Sequence, residues 1–310
     1  PKFEFTFNKI TFSDSLTSCG CVSSIRSTEL VYTNNVFENA RYNSNNWRSA
    51  GIDQNECTSS QETLTVENNT FNNIKGNNQG RCIYLKINNP ASTSFRENTF
   101  QNCPSGSFFI KIAFISLISE MIIDSCKFIE NALNKQWVID PFSSCNQIII
   151  QNKLDNDCSL PYLLTLENCL FEGNTSPLKG GGFHYGFNRY ASNTIVHLIN
   201  CQFKKNQASE TGGALAIQSY QGFLIENCTF TENTATQGGG AIYIETDFFC
   251  HRTSTPSGTK EDESIIRGCT FVGNTGSEAH GIFIQSVSTT SIQILSCKFI
   301  DCGTNNYVIV

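Results

Sequence analysis

One short pattern recurs along the chain without a fixed period. In ENCTFTENTATQGGGAIYI, residues 226–244, a Cys stands two places before a Phe and an Asn three places after it. A glycine run follows, and then an alternating apolar segment. Aligned on the Phe, the unit falls at Phe12, Phe37, Phe71, Phe100, Phe128, Phe171, Phe203, Phe230, Phe271 and Phe299. The spacing varies between 25 residues (Phe12 to Phe37) and 43 (Phe128 to Phe171), so the unit tolerates insertions. Cys precedes Phe at Cys126, Cys169, Cys201, Cys228, Cys269 and Cys297. Asn follows it at Asn131, Asn174, Asn206, Asn233 and Asn274, and Cys103 and Cys302 take that place twice. Glycines come next, at Gly80, Gly181–Gly182, Gly212–Gly213, Gly239–Gly240 and Gly281.

Alternation after each glycine corner predicts half-buried strands, and no helical period runs for a useful length. Gly and Asn tolerate the left-handed backbone that a sharp corner needs. A unit this small cannot bury its own apolar face, so units must stack. Stacking places equivalent residues one strand spacing apart, about 4.8 Å. Phe then forms an internal aromatic stack, Cys an internal row of small apolar groups, and Asn a ladder of amides. The expected fold is all-β: a right-handed, single-stranded parallel β-helix of about ten coils, roughly 48 Å long. It forms one domain over residues 1–310, with degenerate coils at 1–123 and regular ones at 124–310. The distance from the glycines to the next Cys varies most, as Gly213 to Cys228 against Gly240 to Cys269 shows. Insertions are therefore expected from one edge, around Arg41–Glu62, Pro141–Pro161 and Thr246–Ser264. Such an edge is either a binding face or a place that merely tolerates length.

With FKKN (203–206) before GGAL (212–215), and FTEN (230–233) before GGAI (239–242), the chain resembles the polymorphic outer-membrane protein repeat family. FEGN (171–174), FIEN (128–131) and FVGN (271–274) carry the first half of the pattern, and the match runs from about Asp124 to Cys302. Phe37 and Phe71 depart from it, with Asn at two residues rather than three. The resemblance implies a pectin-lyase-like parallel β-helix in a secreted surface protein, because that family is known for surface-exposed adhesins. It carries no catalytic residues. Similar repeats occur in large surface proteins of single-celled eukaryotes.

Parallel β-helices also host polysaccharide lyases and hydrolases. A pectin-type hydrolase would need Asn-Thr-Asp, Asp-Asp, Gly-His-Gly and Arg-Ile-Lys on adjacent coils, and Ala279-His280-Gly281 is the nearest fragment. Glycosidic chemistry generally needs two carboxylates about 5 to 10 Å apart. Asp124 and Asp301 occupy different frames of the repeat. Glu245, Asp247 and Glu261-Asp262-Glu263 are expected in a solvated loop, with a calcium site as the minority reading. His184, His197, His251 and His280 lack metal-ligand spacing and are expected to be exposed or half-buried. Gly180–Gly182 and Gly238–Gly240 open strands, whereas a phosphate-binding loop should open a helix. No catalytic residue, metal or cofactor is assigned.

A net charge of −6 argues against a nucleic-acid partner, which a basic patch would mark. The apolar run at 108–123 is broken by Lys111 and Glu120 and reads as two strands, so no membrane span is expected in this segment. Fifteen cysteines favour an oxidising, extracellular compartment, and an odd count leaves one thiol without an intrachain partner. The six ladder cysteines should point inward and stay reduced. Cys19, Cys21, Cys57, Cys82, Cys103, Cys145, Cys158, Cys250 and Cys302 are expected at corners or in insertions. Cys145 and Cys158 flank one insertion and would close it as a disulfide, and Cys19 or Cys21 with Cys57 is a second candidate. N-glycosylation acceptors occur at Asn68, Asn174 and Asn227.

The single Met and the start at Pro1 read as a processed chain or as a segment of a longer one. FEFTFNKITF and YVIV, at the two ends, both read as strands. That leaves either a window cut from a longer chain or ends that stack on copies of themselves. The expected function is a non-catalytic extracellular structural protein, a β-helical subunit of a surface filament, fibre or coat. The alternative is a surface adhesin or glycan-binding passenger segment of a larger protein, with glycans or cell-surface proteins as partners. A polysaccharide lyase or hydrolase ranks behind both.

Overall fold

Two left-handed residues in each coil from the second onward set the path of the chain. The computed structural model describes residues 2–6, 8–11, 16–17, 22–23, 29–39, 41–43, 49–55, 62–77, 81–88, 90–104, 108–114, 120–132, 146–152, 162–187, 194–219, 222–246, 264–286 and 292–309. The first bend falls at Asn34, Asn68, Glu97, Ser125, Asn168, Asn200, Asn227, Gly268 and Ser296, with φ between 52° and 63°. The second falls five residues later, at Asn39, Asn73, Asn102, Glu130, Gly173, Lys205, Glu232, Gly273 and Asp301, with φ between 52° and 66°. Between the bends runs a three-residue strand with the Phe at its centre. This geometry explains the motif: the bends fix which residues point inward at two places before the Phe and three places after it.

L-residues with a Cβ adopt this conformation at a cost of about 1 kcal/mol. Lys205→Gly should therefore raise the unfolding free energy by about 1 kcal/mol, read as a higher urea midpoint at unchanged slope. The exposed pair that Lys205 makes with Glu232, at 3.7 Å, is too screened to offset the gain.

Three ten-stranded sheets form the walls, and successive coils pair in parallel throughout the described residues. The first sheet runs from Lys2–Thr6 to Ile292–Leu295, the second from Lys9–Thr11 to Lys298–Ile300, and the third from Val22–Ser23 to Tyr307–Ile309. Two three-stranded sheets line the corner between the second and third walls. Together they make a parallel β-helix of ten coils. The coils are numbered by the central residue of the second sheet: Ile10, Phe37, Phe71, Phe100, Phe128, Phe171, Phe203, Phe230, Phe271 and Phe299. Ile10, rather than Phe12, opposes Phe37. Phe12 lies outside the described residues.

The nine phenylalanines form one column. Neighbouring ring centroids are 4.6 to 5.1 Å apart and the planes are within 8° of parallel. On either side of it run two inward rows. The row before Phe holds Asn8, Asn35, Asn69 and Asn98 in coils 1–4, then Cys126, Cys169, Cys201, Cys228, Cys269 and Cys297. The row after Phe holds Ile74 and Cys103 in coils 3 and 4, then Asn131, Asn174, Asn206, Asn233 and Asn274, and ends at Cys302. The two amide rows thus exchange sides between coils 4 and 5.

Within a row each amide is satisfied by its neighbours. Asn206 Nδ2 donates to Asn233 Oδ1 at 3.0 Å and to the Phe171 carbonyl at 2.9 Å. Its own Oδ1 accepts from the backbone N of Asn174 at 3.0 Å and from Asn174 Nδ2 at 2.9 Å. The first row repeats the scheme, with Asn35 Nδ2 donating to Asn69 Oδ1 and to the Phe5 carbonyl. At the changeover Asn98 Nδ2 meets only a sulfur, Cys126 Sγ at 3.9 Å, besides its carbonyl.

Three expectations about placement need correction. Insertions do not leave from a single edge. Residues 41–62 include two strands, Arg41–Asn43 and Ser49–Asn55, and residues 141–161 include the wall strand Asn146–Asn152. Chain length varies at two corners: between Ile129 and Asn146 before the third sheet, and between Thr246 and Ser264 after it. Cys82 lies in the wall strand Arg81–Asn88 rather than at a corner or in an insertion; Cys103 and Cys302 do follow corner bends, and all three are buried in the core. Asn174 cannot be a glycosylation acceptor in this fold: it is fully buried and its Nδ2 is committed to Phe128 O and Asn206 Oδ1.

Candidate functional site

Outside the third sheet, coils 6 to 9 build the most elaborate polar cluster among the described residues. The strands Phe183–Phe187, Leu215–Ser219, Ile242–Thr246 and Ile282–Ser286 alternate. Phe183, Leu215, Ile242 and Ile282 face the core. The next residues, His184, Ala216, Tyr243 and Phe283, share one outward row. That row is nonetheless buried, because the glycine arc preceding each strand lies over it. A Cβ on Gly238 would stand 2.8 Å from the Phe283 ring. Tyr243 and Phe283 stack with centroids 5.9 Å apart.

Ala216 is the small member of this row, and Lys179 from the coil-6 arc reaches past it to coil 8. Its Nζ lies 4.9 Å from the Tyr243 ring centroid and 2.9 Å from Glu245 Oε2. Gln218 Nε2 donates to the same carboxylate oxygen at 2.7 Å. Glu245 can only accept, so Gln218 turns Nε2 toward it and Oε1 toward His184. His184 Nε2, 3.2 Å from that oxygen, therefore carries the proton. The Tyr243 hydroxyl has one proton and two acceptors in reach, Gln285 Oε1 at 2.9 Å and Glu245 Oε2 at 3.3 Å. Burial, followed by the charge of Glu245, pushes that hydroxyl up, so it stays a donor.

Burial alone would raise the Glu245 carboxyl. The hydrogen bonds from Lys179 and Gln218, the Lys179 charge and the Tyr243 hydroxyl outweigh it and hold the group below its ordinary value. A carboxylate held ionised in this way accepts hydrogen bonds and anchors a cation, but makes a poor proton donor. A depressed folded pKa contributes stability above the unfolded value of 4.5, and that contribution is lost as pH falls through the folded value. The difference in melting temperature between the protein and Glu245→Gln should therefore be constant above pH 4.5 and shrink below it. A difference independent of pH would exclude the carboxylate as its source.

Glu245 thus belongs to a wall strand, not to a solvated loop, and His184 is buried, not exposed. His197 and His280 are half-buried. Among the described residues no group of three His, Cys, Asp or Glu side chains could hold a metal ion. Asp124, at the end of a first-sheet strand, accepts from Ser125 Oγ and Asn168 Nδ2. Asp301 occupies a left-handed bend.

The six ladder thiols each face a carbonyl of the coil before, from Cys126 to Phe95 O at 3.6 Å through Cys297 to Ile266 O at 3.7 Å. Burial and the adjoining thiols push Cys169 up, and the thiols of Cys201 and Cys269, with burial, do the same to Cys228. A thiol pushed up in this way, as at Cys169 and Cys228, makes a poor nucleophile. Asn68 and Asn227, the remaining acceptor asparagines, are exposed on left-handed bends. Cys145, Cys158, Cys19, Cys21 and Cys57 lie outside the described residues, as do Cys250, His251, Asp247 and Glu261–Glu263.

Sequence reasoning missed the Asn8–Asn98 row, although each member keeps the place that Cys holds later. It also missed the Lys179 cluster, whose two charged members are 66 residues apart.

Residues 164–309 match the family model of the right-handed β-helix region. The match covers coils 6 to 10 and fits the parallel sheets described above. The fold is a right-handed parallel β-helix. Comparison with curated proteins and with solved structures finds no match to the chain. No helix among the described residues is long and apolar enough to cross a membrane.

Proposed function

We propose that the chain is a non-catalytic extracellular structural protein, a β-helical rod within a surface filament, fibre or coat. One observation carries this reading: the polar chemistry of the coils is directed along the rod axis. Inside, the asparagine rows satisfy one another. Outside, Lys9–Glu38, Lys204–Glu172 and Arg267–Glu226 pair one coil with the next at 3.3, 3.1 and 2.8 Å. Exposed pairs of this kind add little stability singly, but they complement the register coil by coil. The resemblance of the Phe-x-x-Asn and Gly-Gly pairs to polymorphic outer-membrane repeats supports a surface location. So do the cysteine content and the exposed acceptors Asn68 and Asn227. The partners in this reading are further copies of the chain or further coils of a longer one.

Electron microscopy of the protein isolated from its source tests the proposal. Ordered filaments or a lattice with an axial repeat set by the coil stack are expected. Dispersed particles in every preparation would sink it. Treatment of the same material with a peptide N-glycosidase reads the location, because removal of a glycan turns Asn68 or Asn227 into Asp.

A second reading, an adhesive or glycan-binding face, draws on Lys179 and Glu245, whose side chains stay part-exposed in front of the buried rings of Tyr243 and Phe283. Ligand sites fix orientation through a few precisely placed polar groups, and this charged pair is held in place by Gln218 and Tyr243. Binding on a glycan array that Lys179→Ala abolishes would favour this reading over the first. A hydrolase of the usual kind needs a second carboxylate beside the first. Release of reducing ends from acidic polysaccharides, lost in Glu245→Gln, would establish that activity and overturn the non-catalytic reading.

A further inference from the structure

The six ladder thiols point at carbonyls, but one other pair of thiols points at each other. Cys82 Sγ and Cys103 Sγ lie 2.9 Å apart, and both side chains are fully buried. The two residues belong to adjoining coils, Cys82 in the third wall and Cys103 at the corner that follows the second. Cys82 begins the third-sheet strand Arg81–Asn88 of coil 3, at the step where register slips between Arg81 opposite Ser49 and Ile83 opposite Ile52. Cys103 follows the second bend of coil 4, in the row occupied by Ile74 one coil earlier and Asn131 one coil later. Its backbone N donates to Asn131 Oδ1 at 3.0 Å, which holds the residue at the point where that amide row ends.

We propose that Cys82 and Cys103 form a disulfide that ties coil 3 to coil 4 through the core. Register-equivalent ladder thiols project in parallel, which strains a bond between them. Cys82 and Cys103 are not register-equivalent, and their side chains converge from the third wall and from the corner after the second. Their sulfurs lie closer than nonbonded sulfur atoms settle, and about 0.9 Å from the bonded separation of ~2.05 Å.

The oxidant is a low-molecular-weight disulfide such as glutathione disulfide. The Cys103 thiolate attacks one of its sulfurs, and a first glutathione leaves with the proton lost from Cys103. The Cys82 thiolate then attacks Cys103 Sγ, and the second glutathione leaves with the proton from Cys82. The two protein thiols are oxidised by two electrons and one glutathione disulfide is reduced to two glutathiones. Exchange takes place while the two coils are still open, since the closed core shields both sulfurs. The bond holds under either reading of the function.

Peptide mapping of the full chain, refolded in a mixture of reduced and oxidised glutathione, tests it. The sample is quenched in acid, blocked with N-ethylmaleimide in denaturant and digested. A Cys82–Cys103 linked peptide is expected, lighter by two hydrogens and lost on reduction. Cys126, Cys169, Cys201, Cys228 and Cys269 should all carry maleimide in the same digest. In Cys82→Ala, Cys103 should become fully alkylated. Should that variant fail to fold, the wild-type map decides alone. Maleimide on both Cys82 and Cys103, or either one linked to another cysteine, overturns the proposal.

Discussion

Gly213→Ala should abolish the folded state or lower its stability by about 4 kcal/mol or more. The added Cβ would stand 2.2 Å from the Gly240 carbonyl oxygen and 2.6 Å from the backbone of Thr234. All of these atoms belong to main chain of the next coil, already fixed by hydrogen bonds such as Gly213 N to Gly239 O at 3.1 Å. No side chain can move aside, so two coils must separate. Gly268→Ala is the matched control. Gly268 sits at φ +63°, and its nearest contact is the side-chain oxygen of Asn227 at 2.5 Å. That oxygen belongs to an exposed side chain and can rotate away, which leaves a conformational penalty of about 1 kcal/mol. Soluble yield and the far-ultraviolet circular dichroism of the two variants separate the cases. Equal behaviour would mean that the corners tolerate backbone displacement.

Asn206→Ala should lower the unfolding free energy by about 4 kcal/mol. The change strips a partner from four buried groups at once: Asn174 N, Asn174 Nδ2, Asn233 Oδ1 and the Phe171 carbonyl. Each buried group left unpaired costs about 1–3 kcal/mol, reduced where another partner remains. Asn200→Ala, on an exposed left-handed bend one turn away in the same coil, should cost far less. Urea midpoints for both variants check the ratio. A small effect at Asn206 would mean that water enters the row.

The regular coils were legible because the two left-handed bends stand five positions apart, with four residues between them and the Asn just after the second. Cys, Phe and Asn must then recur at fixed offsets, whatever happens elsewhere in the coil. Reading the row as cysteine, rather than as a place, hid its first four members: Asn35, Asn69 and Asn98 stand two before Phe just as Cys228 does. The third wall was harder to read. Asn146–Asn152 lacks the glycine corner that announces Leu215–Ser219 and Ile242–Thr246, so residues 141–161 looked like a loop. The Lys179 cluster could not be read at all. Its members come from arcs and strands of different coils, and only the fold decides that Lys179 passes the small Ala216 to meet Glu245.

The exchange of amide rows between coils 4 and 5 has a consequence for how coils can be combined. In a solenoid, stability is a sum of coil terms and nearest-neighbour terms. Side-chain amides cross every boundary from coil 1 to coil 9. Between coils 4 and 5 the Asn131 side chain does so, accepting from Cys103 N at 3.0 Å and donating to the Phe100 carbonyl at 3.0 Å, although among the described residues no asparagine side chain bonds another there. The molecule is therefore two blocks whose amide rows stand on opposite sides of the Phe column. A coil moved from one block into the other would set its asparagine beside a residue that is not an amide and leave it without that partner.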